Sequence, residues 1–192
     1  MSKAMKVLHG DHKVFVQLLD LIDDEIETFR RAERTDYTLL EAILEYFQGY
    51  PDCTHHPAED LVYKKLKQRA PEDCARIPDM DREHHRESER LRAFSRLVDL
   101  VLAEGEIERN KVIEAAEAFV RYMRRHVEME EAKFFPAALE HLHDEDWAEI
   151  DRRLKEARCK AVAAGTALQF KDLRKEILRW RAELRKEQHK AS

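Results

Sequence analysis

The 192 residues are enough to bury one substantial core and are short for two well-formed domains. With 43% hydrophobic and 39% charged residues but only four Gly and five Pro, the composition favours long helices with charged outer faces over a turn-rich sheet fold, and the chain reads as all-α. The net charge of −5 leaves no basic surface suited to nucleic acid, since the one positive stretch, Lys171 to Lys190, sets eight Lys or Arg against four Asp or Glu. No apolar run nears the roughly 20 residues that span a bilayer, so a soluble protein with no membrane partner is expected.

Apolar residues recur at helical spacing from the start. Met5, Leu8, Phe15, Leu19, Ile22 and Ile26 form one stripe with His12 on it, and this first helix is expected to run to about Arg31. The opening Met-Ser-Lys-Ala-Met-Lys leads into that stripe without the apolar stretch and small-residue cleavage site of a secretory signal. Three scattered cysteines, Cys53, Cys74 and Cys159, give an odd count and no zinc-type pairing; a reducing cytoplasm and no disulfide are expected. Thr38 and Glu41 have the spacing of a capping box and open the second helix, whose inward face is Leu40, Ile43, Leu44 and Phe47. Gly49, Pro51 and Pro57 predict a kink or short break, because a proline lacks an N–H and crowds the carbonyl four residues back; the helix then resumes through Leu66.

A loop with Pro71 and Pro78 leads to Asp79, an N-cap candidate for a third helix striped by Met80, His84, Leu91, Phe94, Val98 and Val101. Gly105 marks the turn into a fourth, which carries Phe119, Met123, His126, Glu130, Phe134 and Ala137 in register and ends near His143. Asp144 can cap a fifth helix ending near Gly165, and a sixth runs from about Leu168 to Lys190. The expected division is a bundle over 1–143 and a helical extension over 144–192. Leu173, Ile177, Trp180 and Leu184 form a stripe on the basic last helix; such stripes most often dock on their own domain, and a homodimer contact or a protein partner is the other use.

The informative feature is that histidines and carboxylates lie on apolar stripes, where an unpaired polar group costs several kcal/mol. In the second helix, Thr54-His55-His56-Pro57-Ala58-Glu59-Asp60 offers two pairs at i and i+4, His55 with Glu59 or His56 with Asp60. His55 and Glu59 continue into Val62 and Leu66, whereas His56 and Asp60 continue into Tyr63 and Lys67, a wetter face. The fourth helix repeats the unit as His126 and Glu130, and His12 and His84 add one inward imidazole each. Residues four apart are neighbours on a helix, so each pair can present an imidazole and a carboxylate to one small volume. A single buried histidine is usually a satisfied core residue. Two copies of the unit with two lone histidines in the intervening order are a poor fit to coincidence. His9, His141, His143 and His189 lack any such pattern and read as surface or supporting residues. Six donors of the type His4Glu2 suit two metal ions, each carboxylate bridging and each metal taking two imidazoles. Nitrogen and oxygen donors without thiolate favour iron, with manganese and zinc also compatible. Bundle cores are known places for such centres.

A lone His, then His-His-x-x-Glu-Asp, then Glu-His, then His-x-x-x-Glu-Glu followed by Phe-Pro, resembles the hemerythrin-like, or HHE cation-binding, domain family over about Met5 to His143. The resemblance implies an up-down-up-down four-helix bundle, here with two additional C-terminal helices. It implies two non-haem iron ions, oxo- or hydroxo-bridged, on His12, His55, Glu59, His84, His126 and Glu130. It also implies roles in oxygen binding, oxygen or peroxide sensing, nitric oxide chemistry or repair of iron–sulfur centres. The oxygen-carrying members place two histidines four apart on the third helix; here Met80 and Ser88 flank His84 at that spacing, and His85 points about a hundred degrees away. The expected function is therefore reaction with, or sensing of, a small diatomic or peroxide ligand in a bacterial-type stress response. Reversible oxygen or iron binding without catalysis is the alternative.

Overall fold

The computed structural model describes residues 2–33, 35–163 and 166–191, with 157–163, 166–168, 181 and 183–191 as backbone alone. These residues are helical almost throughout, and no strand occurs among them. Helix α1 (Lys3–Arg30) starts where Ser2 accepts from the Met5 N–H at 3.1 Å and Asp151 accepts from the Lys3 and Ala4 N–H groups at 3.1 and 2.8 Å. The free donors of its first turn are thereby taken up. Helix α2 (Tyr37–Tyr50) is capped by Asp36, which accepts from the Leu39 N–H at 3.0 Å; the Thr38–Glu41 box expected to open it lies inside the helix instead. A π turn over Pro51–His55 carries α2 without interruption into α3 (His56–Arg69). One short turn, α4 (Pro71–Cys74), precedes α5 (Met80–Leu102), which Asp79 caps through the Arg82 N–H as its position suggests. Beyond α5 the chain turns at Glu104, φ 57°, and the Gly105 N–H closes on the Leu100 carbonyl at 2.9 Å. Helix α6 (Arg109–Met129) then passes through a second π turn, Glu130–Phe134, into α7 (Phe135–His141).

The two π turns have one cause. In each, the residue just before a proline makes the long bond: the His56 N–H reaches the Pro51 carbonyl ahead of Pro57, and the Phe135 N–H reaches the Glu130 carbonyl ahead of Pro136. Proline offers no N–H and its ring crowds the carbonyl four residues back; adding one residue to the turn relieves both problems without ending the helix. The break expected between Gly49 and Pro57 is thus a widened turn. A matching one at Pro136 escaped the sequence reading. Gly49 does not distort α2 at all: a Cβ there would overlap the Phe170 ring, so the glycine makes room for a neighbouring helix.

Four long helices, α1, α2–α3, α5 and α6–α7, form the bundle. Their apolar side chains make two clusters, one around Phe15, Phe47, Leu91, Phe94, Phe119 and Met123 and one around Met5, Leu8, Val62, Met80, Phe134 and Phe135. The candidate polar residues fall between them on every helix: His12 between Leu8 and Phe15, His55 and Glu59 between Phe47 and Val62, His84 between Met80 and Leu91, and His126 and Glu130 between Met123 and Phe134. A polar layer is sealed above and below by hydrocarbon.

Helix α8 (Asp144–Ala163) packs on α1 and α3. Asp146 accepts from Arg69 Nε and Nη2 at 2.8 and 3.0 Å, Lys65 pairs with Glu149 at 2.6 Å, and Ile150 is buried. Asp144, the expected cap, is the first helical residue; Asp146 instead reaches back to the His143 N–H at 3.1 Å, as the third residue of a capping box does. Helix α9 (Thr166–Ala191) lies along α2, with Phe170 and Ile177 buried and Leu173 and Trp180 packed beside them. Gly165 and the side chains of Cys159, Leu184 and His189 lie outside the described residues. No described helix is long and apolar enough to cross a membrane.

Candidate metal centre

Each helix of the bundle delivers one part of the polar layer. His12 comes from α1, His55 from the end of the first π turn, Glu59 from the first turn of α3, and His84 from α5. His126 comes from the last turn of α6 and Glu130 from the start of the second π turn. Glu59 and Glu130 are both 0% exposed. Ring nitrogens stand beside carboxylate oxygens at short distances: His55 Nε2 to Glu59 3.0 Å, His84 Nε2 to Glu59 3.2 Å, His12 Nε2 to Glu130 3.0 Å and His126 Nε2 to Glu130 3.1 Å.

Those distances are short, yet the groups are not aligned to hydrogen-bond. The Nε2 atoms of His12, His84 and His126 and all four oxygens of Glu59 and Glu130 have no hydrogen-bond partner among the described residues. A buried polar atom left unsatisfied costs about 1–3 kcal/mol, which a fold does not tolerate seven times in one place without a common partner. Donor atoms aimed at a shared point explain both observations. With metal–ligand bonds of about 2.1 Å, adjacent ligands of an octahedral shell stand about 3.0 Å apart. The donors fall into two sets, His12, His55, Glu59 and Glu130, and Glu59, His84, His126 and Glu130, each with its atoms within 4.8 Å of one another. Both sets contain both carboxylates. The residues present therefore fit a bound metal cation, with Glu59 and Glu130 common to both donor sets.

Electrostatics agree. Burial opposes ionisation of Glu59, but His55 beside it holds the carboxyl well below the usual range. Burial and the neighbouring Glu59 push Glu130 well above it. Two carboxylates in one dry pocket oppose each other's ionisation, and positive charge between them relieves that opposition. His12 is held down to about 4 by burial and by His55. Around this layer Phe135 stacks on His12 at 5.1 Å, Phe15 meets His55 edge-on at 4.8 Å, and Tyr122 lies parallel to His126 while its hydroxyl donates to Glu83 at 2.7 Å.

Of the two pairs open in α3, the structure brings His55 and Glu59 inward and leaves Asp60 exposed. His56 corrects the reading of a wet face: it is 7% exposed, its ring stacks on His84 at 3.8 Å, and its nitrogens face Asp52 at 3.0 Å and the buried Glu87 at 3.4 Å. The π turn is the reason, since widening by one residue lets two successive side chains face inward. Glu87 lies three residues after His84, a spacing that shares its face and could have been read from the sequence. Asp11 and Glu131 were also missed. Asp11 accepts from His55 Nδ1 at 3.3 Å and Glu131 from His12 Nδ1 at 2.7 Å; each directly follows or precedes a recognised residue and so looked like the outward neighbour. His9 also bonds to Glu131, at 2.9 Å, whereas His85 points outward and His141 pairs with Asp73, both as surface residues. Met80 is buried in an apolar cluster and Ser88 is half-buried.

The family model described as the hemerythrin HHE cation-binding domain matches residues 3–138, a span that contains all six donors. Comparisons with curated proteins and with solved structures returned no match.

Proposed function

The chain belongs to the hemerythrin HHE cation-binding family, and from that membership we propose that His12, His55, Glu59, His84, His126 and Glu130 hold two non-haem iron ions. The protein then reacts with, or senses, dioxygen, peroxide or nitric oxide in a cytoplasmic stress response. One observation carries the reading: the buried ring nitrogens and carboxylate oxygens that lack hydrogen-bond partners among the described residues converge on Glu59 and Glu130 from four helices. Thiolate is absent from both donor sets, which suits iron over a structural zinc site. Iron bound there would supply one-electron redox chemistry towards a small ligand.

The protein's own residues shape what can reach that place. Phe15, Phe135 and the two apolar clusters exclude bulk water and hold the rings of His12 and His55. His84, 13% exposed at its side chain, is the least covered of the six, so its edge is the entry for a small molecule. Reaction is favoured over reversible carriage because neither Met80 nor Ser88 supplies a further imidazole, and because the extra buried imidazole, His56, turns towards Glu87 instead.

Metal analysis and an absorption spectrum test this reading directly. Protein purified from cells grown with ample iron should hold close to two irons per chain, with near-ultraviolet and visible bands of a bridged ferric pair. A colourless protein with stoichiometric zinc, unchanged after iron reconstitution, overturns it.

A further inference from the structure

We propose that the two halves of this centre hold metal unequally, the His12/His55 half tightly and the His84/His126 half loosely. Carboxylates stand behind the first pair of imidazoles, and among the described residues none but Glu59 and Glu130 lies within 4.0 Å of a ring nitrogen of the second. The inference rests on the two-metal reading above and goes beyond it to the order in which the metals leave.

Glu131 lies 2.7 Å from His12 Nδ1, on the side of the ring away from Glu130. It is itself steadied from outside by His9, whose Nδ1 lies 2.8–2.9 Å from both its oxygens. Asp11 faces His55 Nδ1 at 3.3 Å and accepts from the Tyr50 hydroxyl at 2.7 Å. In both cases Nδ1–H donates to a carboxylate, which leaves the Nε2 lone pair turned towards Glu59 and Glu130. A carboxylate in that position fixes the tautomer and ring angle and makes the imidazole a stronger donor.

The other half lacks this support. His126 Nδ1 is buried with no partner among the described residues. For His84 and His126, the only carboxylates within 4.0 Å of a ring nitrogen among the described residues are Glu59 and Glu130 themselves. Behind His84 is another imidazole, His56, stacked at 3.8 Å. This half also includes the most exposed of the six side chains, so a competing ligand meets it first. Glu131 and Asp11 are therefore positioning residues: they lie outside both donor sets, and they act through His12 and His55.

Iron release measures the difference. Protein loaded anaerobically with Fe(II) is mixed with excess chromogenic ferrous chelator, and the expectation is two phases of one equivalent each. His84→Ala should remove the fast equivalent and keep the slow one, which assigns the phases. Glu131→Ala and Asp11→Asn should speed the slow phase about tenfold or more and leave the fast phase unchanged. Glu131→Gln keeps an acceptor oxygen without the charge and should fall between wild type and Glu131→Ala, a ranking that loss of folding would not produce. Unchanged far-ultraviolet circular dichroism accompanies each variant. Two equivalents leaving in one phase, or both phases speeding alike, overturn the inequality but leave the two-metal reading intact. Uptake of fewer than two equivalents by the wild type overturns both.

Discussion

Glu59 and Asp60 are adjacent in sequence and opposite in environment, the first sealed between His55 and His84 and the second in solvent. Glu59→Ala should therefore lose most bound iron, whereas Asp60→Ala should keep it, as iron per chain by elemental analysis will report. The reverse result would assign the site to the other face of α3. Ser88 gives a second test at this scale, one helical turn beyond His84 and half-buried. With no fifth imidazole, the diferrous protein should oxidise quickly in air and show no oxygen uptake that can be cycled by changing the gas phase. Ser88→His should slow that oxidation by supplying a nitrogen donor. Gas-cyclable uptake by the unmodified protein would move the function to reversible oxygen binding.

At the scale of the element, the π turns decide where successive side chains point. The first lets His55 and His56 both face inward; the second sends Glu130 into the core and Glu131 to His12 and His9. Both are tied to a proline immediately after the long backbone bond. Pro136→Ala restores an N–H and removes the ring's crowding, so the helix can return to ordinary spacing. We expect such a variant to be as stable as wild type, or more stable by about 0.5–1.5 kcal/mol for the regained hydrogen bond, yet to bind iron poorly because Glu130 and Phe134 change register. Denaturant unfolding and iron content, measured on one preparation, check the two halves of this statement. Iron binding at the wild-type level would show that the widened turn serves no purpose at the site.

Across the whole molecule, α8 fastens the open end of the bundle. Asp151 takes up the first N–H groups of α1, while Asp146 joins Arg69 of α3 to the His143 backbone. The Arg69 guanidinium beside Asp146 holds its carboxyl below the ordinary value of 3.8. A carboxyl whose folded value is depressed adds stability above its ordinary value and loses that contribution as pH falls through the folded one. Asp146→Asn should consequently lower the unfolding midpoint at pH 7, and the gap from wild type should close as the pH drops below about 3.8. A gap that persists unchanged at pH 3 would assign the loss to packing and not to the charge.

Much was legible in the sequence because helices write their buried face at a fixed period. The all-α class, Asp79 as a cap, and the inward positions of His12, His55, Glu59, His84, His126 and Glu130 follow from side chains three and four apart, which depend only on local geometry. What the period cannot give is the far side of each imidazole. Whether Asp11, Glu131 or Glu87 meets a ring depends on how one helix is rotated against the next, and that rotation is set by the two apolar clusters and by turns widened at Pro57 and Pro136. The same holds for Gly49, whose missing side chain acquires a meaning only when Phe170, more than a hundred residues later, packs against it. Sequence alone determined which residues lie on the regular apolar stripes, because that spacing is a property of one helix. Tertiary structure decided which acids support which histidines, because that is a property of two helices held in contact.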